Sequence, residues 1–147
     1  MTGPTRALEV ARMAELQWKR VLCPVDFSEE SRAALRVASD LARRFGAELT
    51  LFHVDAGAQT MLQASETIGG QLAEWKRQAE ELGVGTVSTL NRPGDPAMAI
   101  SEQASAGGFD LVVMGTHGRT GRDHALIGSV AENVVRLCRV PALTVHA

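Results

Sequence analysis

The chain has 147 residues, 15 Lys+Arg against 17 Asp+Glu for a net charge of −2, 45% apolar and 22% charged residues. That balance is ordinary for one soluble globular domain. It excludes a transmembrane helix, because no apolar run approaches ~18 residues, and it argues against a dedicated nucleic-acid binder, which carries a strongly basic face.

Residues 1–17 stand outside the pattern that follows. They are expected to form a flexible extension, with Leu8, Met13 and Leu16 spaced for a short amphipathic helix. Residues 18–147 read as a single domain. Trp18 to Val25 (WKRVLCPV) is a short apolar strand whose pairing should finish near Pro24, since proline cannot donate to a ladder. Asp26 or Ser28 then caps a helix. From Glu29 to Phe45 its apolar residues recur at helical spacing, and Gly46 stops it. Glu48 to Val54 (ELTLFHV) is a second strand. Met61 to Leu82 reads as a second helix, interrupted by Gly69-Gly70 and ended by Gly83. Val84 to Leu90 alternates, so a third, half-exposed strand is expected there. Asn91 to Pro96 reads as a turn, and Pro96 suits the first turn of a third helix running to about Ala106. Leu111 to Met114 is a continuous apolar run, the mark of a strand covered on both faces. Ser129 to Cys138 is a fourth helix, Pro141 breaks it, and Ala142 to Ala147 is a last strand.

Strands alternating with helices predict an α/β fold. The expected architecture is a five-stranded parallel sheet, doubly wound and Rossmann-like, with helices on both faces. Ligands of such sheets bind beyond the carboxyl ends of the strands, where strand order reverses. The strands ending at Pro24–Asp26 and Met114–Gly115 read as the most buried, so the site is expected between them.

The loop after the fourth strand carries the chemistry. Met114 to Val130 reads MGTHGRTGRDHALIGSV. It starts at a buried strand and ends at a helix N-terminus, where unpaired N–H groups and partial positive charge favour a phosphate. Gly115, Gly118 and Gly128 allow close backbone approach, and Ser129 adds a hydroxyl. Arg119 and Arg122 stand ready to screen phosphates. The P-loop pattern GxxxxGK[ST] is absent, and only Lys19 and Lys76 are lysines, so a Walker-type site is excluded. A receiver domain is excluded too, because Asn91-Arg92-Pro93 follows the third strand where a phospho-accepting Asp is needed.

These segments resemble the universal stress protein family over almost the whole chain. VLCPVDFSEESRAAL looks like its first strand, Pro-x-Asp turn and first helix, and ELTLFHV like its second strand. DLVVMGTHGRTG with IGSVAENVVRLCRVPALTV looks like its fourth strand, nucleotide loop, fourth helix and fifth strand. Gly115, Gly118, Gly128 and Ser129 match the Gly-x2-Gly-x9-Gly-[Ser/Thr] spacing of the ATP-binding branch. The resemblance implies ATP, with Mg2+, as the ligand. Pro24 and Asp26 would meet the ribose or adenine, and Val54 the adenine through its backbone. Met114 and Gly115 would line the base and ribose pocket, and Gly118, Gly128, Ser129 and Val130 would hold the phosphates. It also implies a homodimer through the last strand, Ala142 to Ala147.

The histidines His53, His117, His124 and His146 lack the convergent ligands of a metal site. The two cysteines, Cys23 and Cys138, make neither a CxxC motif nor a disulfide framework, which fits a reducing cytoplasm; the start of the chain has no compact apolar leader either. Phosphoryl transfer needs a metal, a nucleophile and a base, and no convincing base is present, so nucleotide binding without turnover is expected. The expected role is a nucleotide-responsive regulatory module of stress response that acts through dimer or partner contacts. Slow ATP hydrolysis or autophosphorylation, and a dimeric interaction module without nucleotide, are the alternatives. Because Gly118 and Gly128 sit on the loop, valine at either is expected to block phosphate and leave the fold intact.

Overall fold

The computed structural model describes residues 17–57, 61–117 and 127–147, with side chains omitted for 61–66. The elements alternate as β1 (Arg20–Pro24), α1 (Glu29–Phe45), β2 (Glu48–Asp55), α2 (Met61–Glu81), β3 (Val87–Pro93), α3 (Pro96–Ala106), β4 (Leu111–Gly115), α4 (Ser129–Leu137) and β5 (Ala142–Val145). The strands form one parallel sheet in the order β3-β2-β1-β4-β5. β1 therefore sits at the centre, and the chain winds outward from it in both directions, as the alternating pattern predicts.

The two faces of the sheet follow from the pleat, which sends successive side chains to opposite sides. Val21, Cys23, Val25, Leu49, Leu51, Leu111 and Val113 pack under α1 and α2. Leu22, Phe52, Val112 and Met114 pack under α3 and α4, against Ala97, Ile100, Ala104, Ala131 and Val134. α1 presents Ala34, Ala38, Ala42 and Ser39 to the sheet, all fully buried. These short side chains let the helix axis lie close to β4, which matters for the site.

Ends of helices are set locally. Ser28, not Asp26, caps α1: its Oγ accepts from Ser31 N at 3.1 Å. Gly46, at φ 63, closes that helix in the left-handed conformation glycine adopts freely. Asp95 caps α3 through Met98 N at 3.1 Å, with Pro96 in the first turn.

Two expectations are corrected. α2 runs through Gly69-Gly70 without a break, because Leu72, Trp75 and Ala79 bury a continuous stripe against the first core layer. β3 spans Val87–Pro93 rather than 84–90, so part of the expected turn is strand. The register with β2, from Leu49↔Val87 to Asp55↔Pro93, decides this. Pro93 is tolerated because it ends an edge strand.

Candidate nucleotide-binding edge

The carboxyl ends of β1 and β4 part from each other. Their ladder holds only Val21↔Leu111 and Leu22↔Val112. On the outer sides, β1 stays paired with β2 through Pro24↔Phe52, and β4 with β5 through Gly115↔Val145. This is where strand order reverses, and the crevice beyond such a point is the one doubly wound sheets use for ligands.

One wall is the turn after β1. Val25 N donates to Phe52 O at 2.8 Å, which extends the β1–β2 pairing past proline. Asp26 then folds onto the start of α1. Its Oδ1 accepts from Ser28 N at 3.0 Å and from the Ser31 hydroxyl at 2.7 Å, while its own N–H donates to Ser31 Oγ at 2.9 Å. The carboxylate is thus held rigidly at the crevice. Phe27 makes the turn at φ 66, a conformation that costs a non-glycine residue roughly 1–2 kcal/mol. Packing offsets that cost: its ring stacks on His53 at 5.2 Å and meets Trp75 edge-on at 5.3 Å. His53 is fixed in turn by Asn91, Nδ1 to Oδ1 at 3.0 Å.

The floor is apolar. Met114 is buried in the second core layer, and the partly buried Val54 and Ile127 pack on the same cluster. The pleat puts Pro24 on this face with Leu22, and Cys23 on the other. Cys23 is fully buried, and burial pushes its thiol up to about 12. It is a packing residue and does not face the crevice.

The far wall is the end of β4 and the start of α4. A Cβ on Gly115 would stand 2.8 Å from Glu30 Cβ and 2.9 Å from Glu30 C. The first turn of α1 therefore rests directly on this glycine. Thr116 N donates to Val145 O at 3.0 Å, and Thr116 O accepts from Gly128 N at 2.6 Å, which returns the chain to the crevice and starts α4 there. No side chain caps α4 at Gly128, whereas α1 and α3 are both capped. Ser129 and Val130, in its first turn, are exposed.

Of the expected site residues, Pro24, Asp26, Val54, Met114, Gly115, Gly128, Ser129 and Val130 all lie at this edge. Gly118, Arg119 and Arg122 lie outside the described residues. One expectation fails. Gly128 is glycine for a reason internal to the fold: a Cβ there would sit 2.6 Å from Thr116 O and 3.3 Å from His117 Cα. Valine at 128 therefore disturbs the fold. Three residues given no role at this site from the sequence meet at the same edge. Glu30 and His146 each hydrogen-bond the Thr116 hydroxyl, from 86 and 30 positions away, separations no local pattern signals. Among the described residues, no group of three or more His, Cys, Asp or Glu side chains is arranged to hold a metal, and no helix is long and apolar enough to cross a membrane.

The comparisons with known proteins bear on this arrangement. The model of the universal stress protein family matches residues 17–146. Universal stress protein MJ0531 of Methanocaldococcus jannaschii is 36% identical over 148 residues, covering 92% of this chain and 86% of that protein. The chain spans about half the length of the mycobacterial relatives it matches. The solved structure of hypothetical protein MJ0577 of the same archaeon superposes with a TM-score of 0.82 at 28% identity, covering 89% of this chain and 97% of that one. A universal stress protein solved in complex with cAMP superposes at 0.75 with 26% identity, covering 88% and 98%. A family model matched over nearly the whole chain, together with a relative of this identity and coverage, leaves one assignment: the chain belongs to the universal stress protein family.

Proposed function

We propose that the chain binds an adenine nucleotide, ATP with Mg2+, in the crevice between β1 and β4. The observation that carries this reading is the junction of β4 and α4. Gly128 N is tied to Thr116 O, so an uncapped helix start, with its outward amides and partial positive charge, faces the point where β1 and β4 separate. The remaining groups suit the parts of a nucleotide. Pro24, Val54 and Met114 offer apolar surface to a base, and Asp26 is held where a ribose hydroxyl can donate to it. Gly115 lies beside Met114 at the base and ribose, and Gly128, Ser129 and Val130 line the phosphate end. The Gly118, Arg119 and Arg122 contacts belong to the same proposal through the motif spacing. That a relative was solved with cAMP supports an adenine nucleotide as the class of ligand. Bound Mg2+ would supply charge neutralisation at the phosphates.

Binding rather than turnover is the reading we favour. Asp26 Oδ1 is committed to Ser28 and Ser31 and is not placed as a base for an attacking water. The output of binding would pass to other proteins or to a second copy of the chain. β5 is a sheet edge, and Leu143 on it is 40% exposed. An exposed edge strand needs covering, which fits a homodimer through Ala142 to Ala147.

The test is a calorimetric titration with Mg-ATP, after unfolding and refolding to strip carried-over ligand. Saturable binding at micromolar or tighter, about −8 kcal/mol, is expected, and Asp26→Ala should weaken it by ~1–3 kcal/mol. Absence of saturable heat in the refolded wild-type protein would overturn the reading.

A further inference from the structure

The buried Thr116 hydroxyl, 2% exposed, is met by three side chains from three parts of the chain. Its Oγ1 lies 3.1 Å from Glu30 Oε2 at the start of α1, 3.1 Å from His117 Nδ1 beside it, and 3.2 Å from His146 Nδ1 after β5. A hydroxyl has one proton and two lone pairs, and a carboxylate only accepts. Thr116 therefore gives its proton to Glu30, and both imidazoles must donate to it from Nδ1. The same Glu30 oxygen accepts from Ala147 N at 3.0 Å. That assignment makes both rings carriers of Nδ1–H, in whatever state their other nitrogens are.

The backbone of Thr116 doubles these links. Its N–H reaches Val145 O of β5, and its carbonyl holds Gly128 N at the start of α4. Glu30 itself stands against Gly115 and one residue before Ser31, the partner of Asp26. One residue thus joins the base of the Asp26 turn, the end of β4, the start of α4 and the exit of β5. A buried hydroxyl stripped of partners is costly, so these segments are held to move together.

We propose that Thr116 is the positioning residue that couples the nucleotide crevice to the β5 edge. The inference rests on the nucleotide reading above and deepens it, since it names how occupancy of that site would reach a surface suited to a partner. Nucleotide settling on α4 and Asp26 would tighten both ends of the Glu30–Thr116 link and so order residues 142–147. By reciprocity, whatever pairs with β5 would tighten nucleotide binding by the same factor.

The test has two parts. Imidazole 15N shifts of the unmodified protein report which nitrogen carries the proton. His117 and His146 should both show Nδ1–H, Thr116→Val should abolish that preference, and Thr116→Ser should restore it. A shift pattern of Nε2–H alone at either ring in the unmodified protein overturns that assignment. Mg-ATP affinity and amide exchange are then measured on the same proteins. Thr116→Val, which removes all three side-chain links at once, should bind about tenfold more weakly, and Thr116→Ser should recover most of it. Nucleotide should slow exchange of the β5 amides in wild type and Thr116→Ser but not in Thr116→Val. If wild type binds and Thr116→Val matches it in affinity and β5 protection, the coupling is refuted while the nucleotide reading stands. If no variant and no wild type binds, the nucleotide reading falls, and the coupling with it.

Discussion

Replacing Gly128 by alanine separates two reasons for a glycine. The backbone there has φ −74 and ψ 163, which any residue adopts, so conformational strain contributes nothing. Space decides. An added Cβ would lie 2.6 Å from Thr116 O, and ordinary contact begins near 3.4 Å. The two segments must separate by about 0.8 Å, and both sides of the contact are backbone, so no side chain can swing away. The same movement stretches the 2.6 Å bond from Gly128 N to Thr116 O. Overpacking of this kind costs about 1–3 kcal/mol, and a weakened hydrogen bond adds about 0.5–1.5 kcal/mol. A loss of about 2–4 kcal/mol follows, or a fall in Tm of roughly 5–15 °C for a chain of this size. Urea unfolding of the nucleotide-free protein measures it directly, with the midpoint lowered and the slope unchanged. Equal stability of Gly128→Ala and wild type without nucleotide would refute the packing argument. It would return Gly128 to a role in ligand approach alone.

Two further outcomes follow from the same structure. At the exposed Gly70 within α2 an added Cβ meets nothing within 4 Å, so Gly70→Ala should stabilise by about 0.5–1 kcal/mol through helix propensity, read from the same urea curves; a loss of stability would mean that this helix is not continuous in solution. Cys23 titrates in the unfolded chain near 9.0 but only at about 12 when folded. Between those values the unfolded state has released a proton that the folded state keeps, so stability should fall by about 1.4 kcal/mol per pH unit above pH 9. Cys23→Ala should lack that contribution to the slope, and identical slopes for the two proteins would contradict the burial of this thiol.

Much of the architecture was legible because the signals were local. Pro24 marked the end of β1, Gly46 the end of α1, and Pro96 the start of α3. The β-α alternation fixed a parallel sheet and therefore the edge at which to look. What failed was what the third dimension decides. β3 is exposed along most of its length, so hydrophobic alternation had little to report, and its register came from β2. Gly69-Gly70 looked like a break because propensity counts against glycine, yet burial of Trp75 and Ala79 farther along outweighs it. The site divided the same way. Asp26 and the glycine spacing could be read from neighbouring residues. Glu30, Thr116 and His146 could not, because each is unremarkable in its own segment and acquires meaning only when three strand and helix ends converge.

The central place of β1 has a consequence for how the molecule is made. Its two ladders are unequal in sequence distance: β2 follows within one helix, whereas Asp110, whose carboxylate takes the N–H groups of Lys19 and Arg20 at 2.8 and 2.9 Å, is 91 and 90 positions away. During synthesis, which proceeds from the N-terminal end, β1, β2 and β3 are complete before β4 exists. For that interval the Val21–Pro24 stretch, which ends almost wholly buried, presents an unpaired edge. Such an edge is a template for pairing with another chain, and distant parallel pairings form slowly. In the emerging half-sheet that edge of β1 stands open, and the arrival of Leu111–Gly115 covers it.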